Sequence, residues 1–239
     1  MTWIKICGIT NLEDARLAVE AGVDAIGFVF YSKSPRYIEA EKVRQIIAQM
    51  PENIEKVGVF VSEAFVSQAE ERQNREIAAT AMQAGLSGVQ IHFVDAPPKP
   101  HAFPGFSLPT GMKQYLALSA KCFFDEETLV EKSLMEMKNV QSRIAGIFLD
   151  SGTPAVPGGT GKVFDWKKAM PVAKHIKSSG FNLVVAGGLN PTNVNEAIRA
   201  LQPWGVDVSS GVEARPGKKD PEKVRAFIAA VRQTEKSIS

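Results

Sequence analysis

Along the chain, short apolar runs alternate with stretches whose apolar residues recur at helical spacing. The runs lie near Trp3 (WIKIC), Ala25 (AIGFVF), Lys56 (KVGVFV), Gly88 (GVQIH), Tyr115 (YLALSA), Ala145 (AGIFLD), Asn182 (NLVVAG) and Val206 (VDVSS). Most are continuous rather than strictly alternating, as expected of parallel strands whose outer faces are covered by helices. Four follow a glycine closely: AGVDAIGFVF from Ala21, AGLSGVQIH from Ala84, SGFNLVVAGG from Ser179 and WGVDVSSGV from Trp204. Each reads as a helix ending on a left-handed glycine before a strand. Eight strands in 239 residues give about 30 residues per unit, the span of one βα module. The fold expected is α/β, a single (β/α)8 TIM barrel forming one domain over residues 1–239. An open doubly wound sheet shares the same alternation and is the alternative.

Two segments depart from this rhythm. Residues 63–85 form a long, strongly charged helix candidate. Residues 93–111 carry Pro97, Pro98, Pro100, Pro104 and Pro109, too many for a helix interior, and predict an irregular, proline-rich segment in place of most of the fourth helix. From Pro221 onward the spacing predicts an amphipathic closing helix.

Composition narrows the function. Lys and Arg total 28 against 26 Asp and Glu, a net charge of +2, which lacks the basic footprint of a nucleic-acid binder. The N-terminal MTWIKICGIT has no long apolar run, and Glu20 and Asp24 interrupt the next one. The expectation is therefore a cytoplasmic chain with no membrane partner. Cys7 and Cys122 lie far apart, and His92, His101 and His175 are scattered. Neither a disulfide framework nor a metal site is predicted.

Barrel sites form at the C-terminal ends of strands, which gathers a dispersed set of residues onto one rim. Cys7 ends the first strand, His92 the fourth and Asp150 the sixth, and the loop SKSPRY after the second carries Arg36. A lone buried cysteine is usually packing. Strand alternation, however, puts Lys5 on the face of Cys7 and points Asp207 of the neighbouring eighth strand the same way. A cationic Lys5 would lower the thiol pKa, and an ion pair with Asp207 would blunt that effect. Asp150 reads either as a turn cap or as a carboxyl group able to donate a proton at a dry mouth. His92 reads equally as a satisfied polar residue or a ligand contact. Arg36, on a proline-stiffened loop, suits an anion.

Three glycine-rich loops, GGTG (Gly158 to Gly161), AGGLNP (Ala186 to Pro191) and SSGVE (Ser209 to Glu213), follow strands six, seven and eight. Bare backbone amides there suit a phosphate. None of the loops matches a nucleotide fingerprint, so no nucleotide cofactor is inferred.

KICGIT, FVFYSKSPRY, VGVFV, VQIH, LDSG with GGTGKVFDW, AGGLNPTNV, and DVSSGVE with PGKKDPEKVRAF together resemble phosphoribosylanthranilate isomerase. The resemblance runs in order along most of the chain, and is weak in the third helix and over residues 93–145. It implies a (β/α)8 barrel of tryptophan biosynthesis that performs an Amadori rearrangement without metal or redox cofactor. The reaction would convert N-(5-phosphoribosyl)anthranilate to 1-(2-carboxyphenylamino)-1-deoxyribulose 5-phosphate. It further implies Cys7 as general base, Asp150 as general acid and Arg36 on the anthranilate carboxylate. His92 would join the substrate-binding set, with Gly159, Gly161, Gly187, Gly188, Ser210 and Gly211 in the phosphate cradle. One departure is visible: Phe93 follows His92 where the family usually has glycine. The partner expected is a phosphorylated small molecule, and the chain would act as a monomer or homodimer. The related histidine-pathway isomerases usually pair two aspartates, so Cys7 argues against that activity.

Overall fold

The computed structural model describes residues 1–62, 68–93, 108–120, 144–151 and 164–238. Eight parallel strands close into a barrel: β1 (Trp3–Ile6), β2 (Ala25–Val29), β3 (Glu55–Ser62), β4 (Gly88–Phe93), β5 (Lys113–Ser119), β6 (Ile144–Asp150), β7 (Leu183–Val185) and β8 (Gly205–Val208). Every strand pairs with its sequence neighbour, and β8 returns to β1 with Lys5 opposite Asp207. The eight strands and the closure expected from the sequence are both present. Between and after them lie α1 (Leu12–Glu20), α2 (Ala40–Ile47), α3 (Gln68–Ala84), α4 (Trp166–Ser178), α5 (Val194–Leu201) and α6 (Pro221–Ile238). A short hairpin, β9 (Glu213–Arg215) with β10 (Lys218–Lys219), separates β8 from α6.

The period of two in each strand divides the core into two layers. Ile4 and Ile6, Ile26 and Phe28, and Val206 and Val208 face the helices and join one large apolar cluster. Trp3, Ala25, Val57, Tyr115, Ala117, Phe148, Val184 and Ala186 fill the inside. Both faces are buried, which is why the strands read as near-continuous apolar runs. The closing helix behaves as its spacing predicts: Val224, Phe227, Ile228, Val231 and Thr234 are buried along one face of α6.

Three of the four helix-ending glycines hold left-handed backbone: Gly22 at φ +92°, Gly85 at +74° and Gly180 at +84°. The fourth reading is corrected. The left-handed residue after α5 is Gln202 (φ 45°), and Gly205 is the first residue of β8. A side chain at Gly205 would meet the Trp3 ring at 2.9 Å, so glycine is needed there for strand packing rather than for a turn.

Helix α3 occupies Gln68–Ala84 of the charged candidate, and residues 63–67 lie outside the described set. Most of the proline-rich segment, residues 94–107, also lies outside it, as do His101 and Cys122. The segment's described end is a turn in which Met112 N–H donates to the Pro109 carbonyl at 3.1 Å. Among the described residues no helix is long and apolar enough to cross a membrane.

Candidate active site

The C-terminal mouth of the barrel holds a cavity of about 370 Å³, a size suited to a small metabolite. Its wall includes Cys7, Arg36, His92, Asp150, Gly187, Gly188 and Ser210, residues that the sequence scatters over two hundred positions. Gly159 and Gly161 lie outside the described residues.

Cys7 extends β1 by one residue, where its N–H donates to the Val208 carbonyl at 2.8 Å. Gly8 then turns the chain at φ +76°, and a Cβ there would sit 2.6 Å from Arg36 Cδ. Only glycine combines that backbone with room for the arginine stem. Below Cys7, Lys5 Nζ donates to Asp207 Oδ1 at 2.9 Å, and both side chains are buried. Burial pushes the Cys7 thiol above its ordinary range; the positive charges of Lys5 and Lys219 oppose this without overcoming it. The sequence expectation that Lys5 lowers the thiol pKa is thus correct in sign for that one interaction, but desolvation outweighs it. Burial depresses the Lys5 ammonium, yet Asp207 and Cys7 together more than compensate, so Lys5 remains a cation.

Asp150 ends β6 and is buried. Beside it, after the neighbouring β7, Gly187 (φ +76°) leaves the space that Asp150 Oδ1 and Ser151 need; an added Cβ would lie 2.6 Å from that carboxylate oxygen. The charge of Asp150 reaches Asp207, whose own carboxyl is raised chiefly by burial. His92, on the inner face of β4, lies 2.8 Å from the amide of Gln90 through Nε2. Burial and then the charge of Lys5 lower the His92 pKa from 6.5 to about 4, so the ring is neutral at physiological pH. Gln90 was not singled out in the sequence, although its place two residues before His92 on the same strand face was a usable signal.

The loop after β2 folds back on itself. Ser34 N–H donates to the Tyr31 carbonyl (2.9 Å), Tyr37 N–H to the Ser34 carbonyl (3.1 Å) and Ile38 N–H to the Val29 carbonyl (3.1 Å). This turn delivers Arg36 to the mouth, where Glu213 receives Nε at 2.8 Å and Nη2 at 2.7 Å. Val29, Tyr31 and Val59 pack with Cys7 beside it, giving that end of the cavity an apolar wall. On the loops after β7 and β8, the N–H groups of Gly187, Gly188, Ser210 and Gly211 donate to no acceptor among the described residues, and the first three of these residues line the cavity while Gly211 does not. The two loops touch: Gly211 abuts the Leu189 carbonyl, and a side chain there would collide with it. Among the described residues no group of three or more His, Cys, Asp or Glu side chains is placed to hold a metal ion.

The chain as a whole is similar to proteins of known activity. A family model described as N-(5'phosphoribosyl)anthranilate (PRA) isomerase matches residues 4–230. The chain belongs to this family. It is 42% identical over 233 residues to the N-(5'-phosphoribosyl)anthranilate isomerase of Citrifermentans bemidjiense, covering 98% of each chain. The Thermotoga maritima phosphoribosyl anthranilate isomerase superimposes with a TM-score of 0.73 at 37% identity, over 98% of this chain and 100% of the other. Another structure of a phosphoribosyl anthranilate isomerase holds reduced 1-(o-carboxyphenylamino)-1-deoxyribulose 5-phosphate, with a TM-score of 0.71, 35% identity, and 98% and 100% coverage. The protein is accordingly an isomerase of N-(5'-phosphoribosyl)anthranilate in tryptophan biosynthesis, carried on a (β/α)8 barrel.

Proposed function

We propose that Cys7 and Asp150 are the base and acid of the rearrangement, with the substrate stretched across the mouth between Arg36 and the free backbone amides. The observation that carries this reading is the shared cavity: a thiol and a carboxyl group, each almost fully enclosed, line it together with Arg36 and with Gly187, Gly188 and Ser210, whose N–H groups have no acceptor among the described residues.

The phosphate meets Gly187, Gly188, Ser210 and Gly211, whose N–H groups suit an anion without a metal. Gly159 and Gly161, outside the described residues, complete that cradle on the family resemblance. The anthranilate ring lies against Val29, Tyr31 and Val59, its carboxylate on Arg36. Held at both ends, the ribose sits between the two reactive groups, and binding is converted into orientation.

Asp150 protonates the furanose ring oxygen and the C1–O bond breaks, leaving an iminium between C1 and the anthranilate nitrogen. That cation acidifies C2–H; the Cys7 thiolate takes the proton, and the electrons form the C1=C2 enolamine, which tautomerises to the ketone. The steps need one group protonated and the other not. Burial favours the Cys7 thiol, so Lys5 and Lys219 are the charges available to stabilise its thiolate. Neutral His92, fixed by Gln90, is a hydrogen-bonding wall rather than a proton source at pH 7. A free thiol of this kind suits the reducing cytoplasm. Of monomer and homodimer, the structure of monomers generated from the dimeric Thermotoga maritima enzyme supports the homodimer, which sedimentation would check.

The experiment generates the substrate in situ from anthranilate and phosphoribosyl pyrophosphate and follows its fluorescence with wild type, Cys7→Ala and Asp150→Asn. Rapid consumption by wild type alone supports the assignment; turnover by either folded variant within tenfold of wild type removes that residue from the chemistry.

A further inference from the structure

The hairpin after β8 carries a buried carboxylate, Glu213, that the mechanism above does not use. Glu213 and Lys219 are cross-strand partners in β9 and β10. The Glu213 carboxylate accepts from Arg36 Nε (2.8 Å) and Nη2 (2.7 Å), from Lys219 Nζ (3.0 Å) and from Gly217 N–H (3.4 Å). Lys219 Nζ also donates to the Ser209 carbonyl at 3.2 Å. The hairpin is fastened independently: Thr10 Oγ1 donates to the Gly217 carbonyl at 2.6 Å, and Lys219 N–H to Asp14 Oδ2 at 2.8 Å. Tying the loops together therefore does not require the Glu213 side chain to reach Arg36.

Arg36, Glu213 and Lys219 are 9%, 7% and 1% exposed and share a largely dry site, where burial lowers the Lys219 ammonium and Glu213 opposes that without overcoming it. The arginine fork also has a defined free side. Glu213 occupies the Nε–Nη2 edge, leaving Nη1 and the outer N–H of Nη2 able to take a second carboxylate with two parallel bonds. Resting on the reading of Arg36 as the carboxylate holder, we propose that Glu213 is a positioning residue that sets substrate specificity. It grips the guanidinium by one edge so that the other meets the anthranilate carboxylate.

The sign of one substitution separates this from simple electrostatics. Glu213→Gln removes a negative charge, which alone would strengthen the pull on an anion; loss of aim does the opposite. The test compares kcat/KM for phosphoribosylanthranilate with that for the same phosphoribosylamine made from aniline, which lacks the carboxylate. In Glu213→Gln the preference for the carboxylated substrate falls about tenfold or more, through KM, while the aniline compound changes by less than about twofold. Arg36→Met loses the preference too, and the double variant loses no more than Arg36→Met alone. Glu213→Asp, which keeps the charge at shorter reach, restores part of the preference, and decides the matter if Glu213→Gln folds poorly. An unchanged or increased preference in Glu213→Gln, or an equal loss for both substrates, overturns the proposal. If Arg36→Met itself keeps the preference, the carboxylate reading of Arg36 fails, and that single variant shows it.

Discussion

At the N-terminal end of the barrel, Glu55 accepts from the Tyr115 hydroxyl at 2.6 Å and pairs with Lys113 at 3.0 Å. Trp3 closes over them, its ring 5.9 Å from Tyr115, 6.2 Å from Phe148 and stacked 5.1 Å from Trp204. At the C-terminal end, Gln90 Oε1, Ser151 Oγ and Ser209 Oγ are buried with no partner among the described residues, and a cavity separates the walls. The same eight strands build both ends, so strand geometry does not cause the difference. Inward positions at the start of the strands carry aromatic rings and a satisfied carboxylate, which plug the barrel. Inward positions at the finish carry small or polar groups whose unmet hydrogen bonds suit a ligand. One end contributes stability, and the other retains unsatisfied polarity that a substrate can use.

Substitutions at the two ends sharpen the contrast. The largest effect expected is on turnover: Cys7→Ala and Asp150→Asn each lower kcat/KM by roughly a hundred- to ten-thousandfold, as loss of general acid–base catalysis does. Trp3→Ala is the mirror case. It costs about 3–5 kcal/mol in denaturant unfolding, while turnover per folded molecule stays within about twofold.

Lys5 lies between the two ends and affects both. Because Lys5 and Asp207 are buried partners, Lys5→Met strands the carboxylate and costs about 3–5 kcal/mol. It also removes the nearest positive charge from Cys7, so the pH midpoint for thiol alkylation by iodoacetamide moves upward. Asp207→Asn removes a negative charge that raises the thiol, and moves the midpoint down. Shifts of the same sign in both variants would remove this electrostatic account of Cys7.

The smallest effect is a pH dependence of stability. The folded His92 pKa of about 4 lies below its ordinary 6.5, so the folded state resists protonation. This contribution is complete above pH 6.5 and is lost as pH falls toward 4. Its ceiling is about 3 kcal/mol, reduced by solvent screening because the ring is only partly buried. His92→Gln flattens the fall in melting temperature over that window; an unchanged slope assigns the loss to other groups.

The strands were legible because their alternation with helices is periodic, and it was the number of units, eight in 239 residues, that favoured closure over an open sheet. They placed Lys5 and Cys7 on one face and brought Asp207 against Lys5 in register. Arg36 was legible from its proline-stiffened loop, but Glu213 was read only as part of a glycine-loop motif and Lys219 only within PGKKD. Their partnership with Arg36 spans 177 residues from a hairpin too short to show a period, so no spacing rule reaches it. A proline–glycine turn followed by two lysines was the available signal. The Gly205 error has a similar origin. A left-handed Gln202 leaves no compositional mark, and the nearby glycine took its place in the reading.

The most direct measurement records kcat and melting temperature on the same preparations of wild type, Cys7→Ala and Trp3→Ala. The account predicts a crossing: Cys7→Ala loses at least about a hundredfold in turnover with its melting temperature nearly unchanged, whereas Trp3→Ala melts far earlier and, below its transition, turns over like wild type. A Cys7→Ala protein that stays active, or a Trp3→Ala protein that is folded yet inactive, would contradict the division of the barrel into a stabilising end and a reactive one.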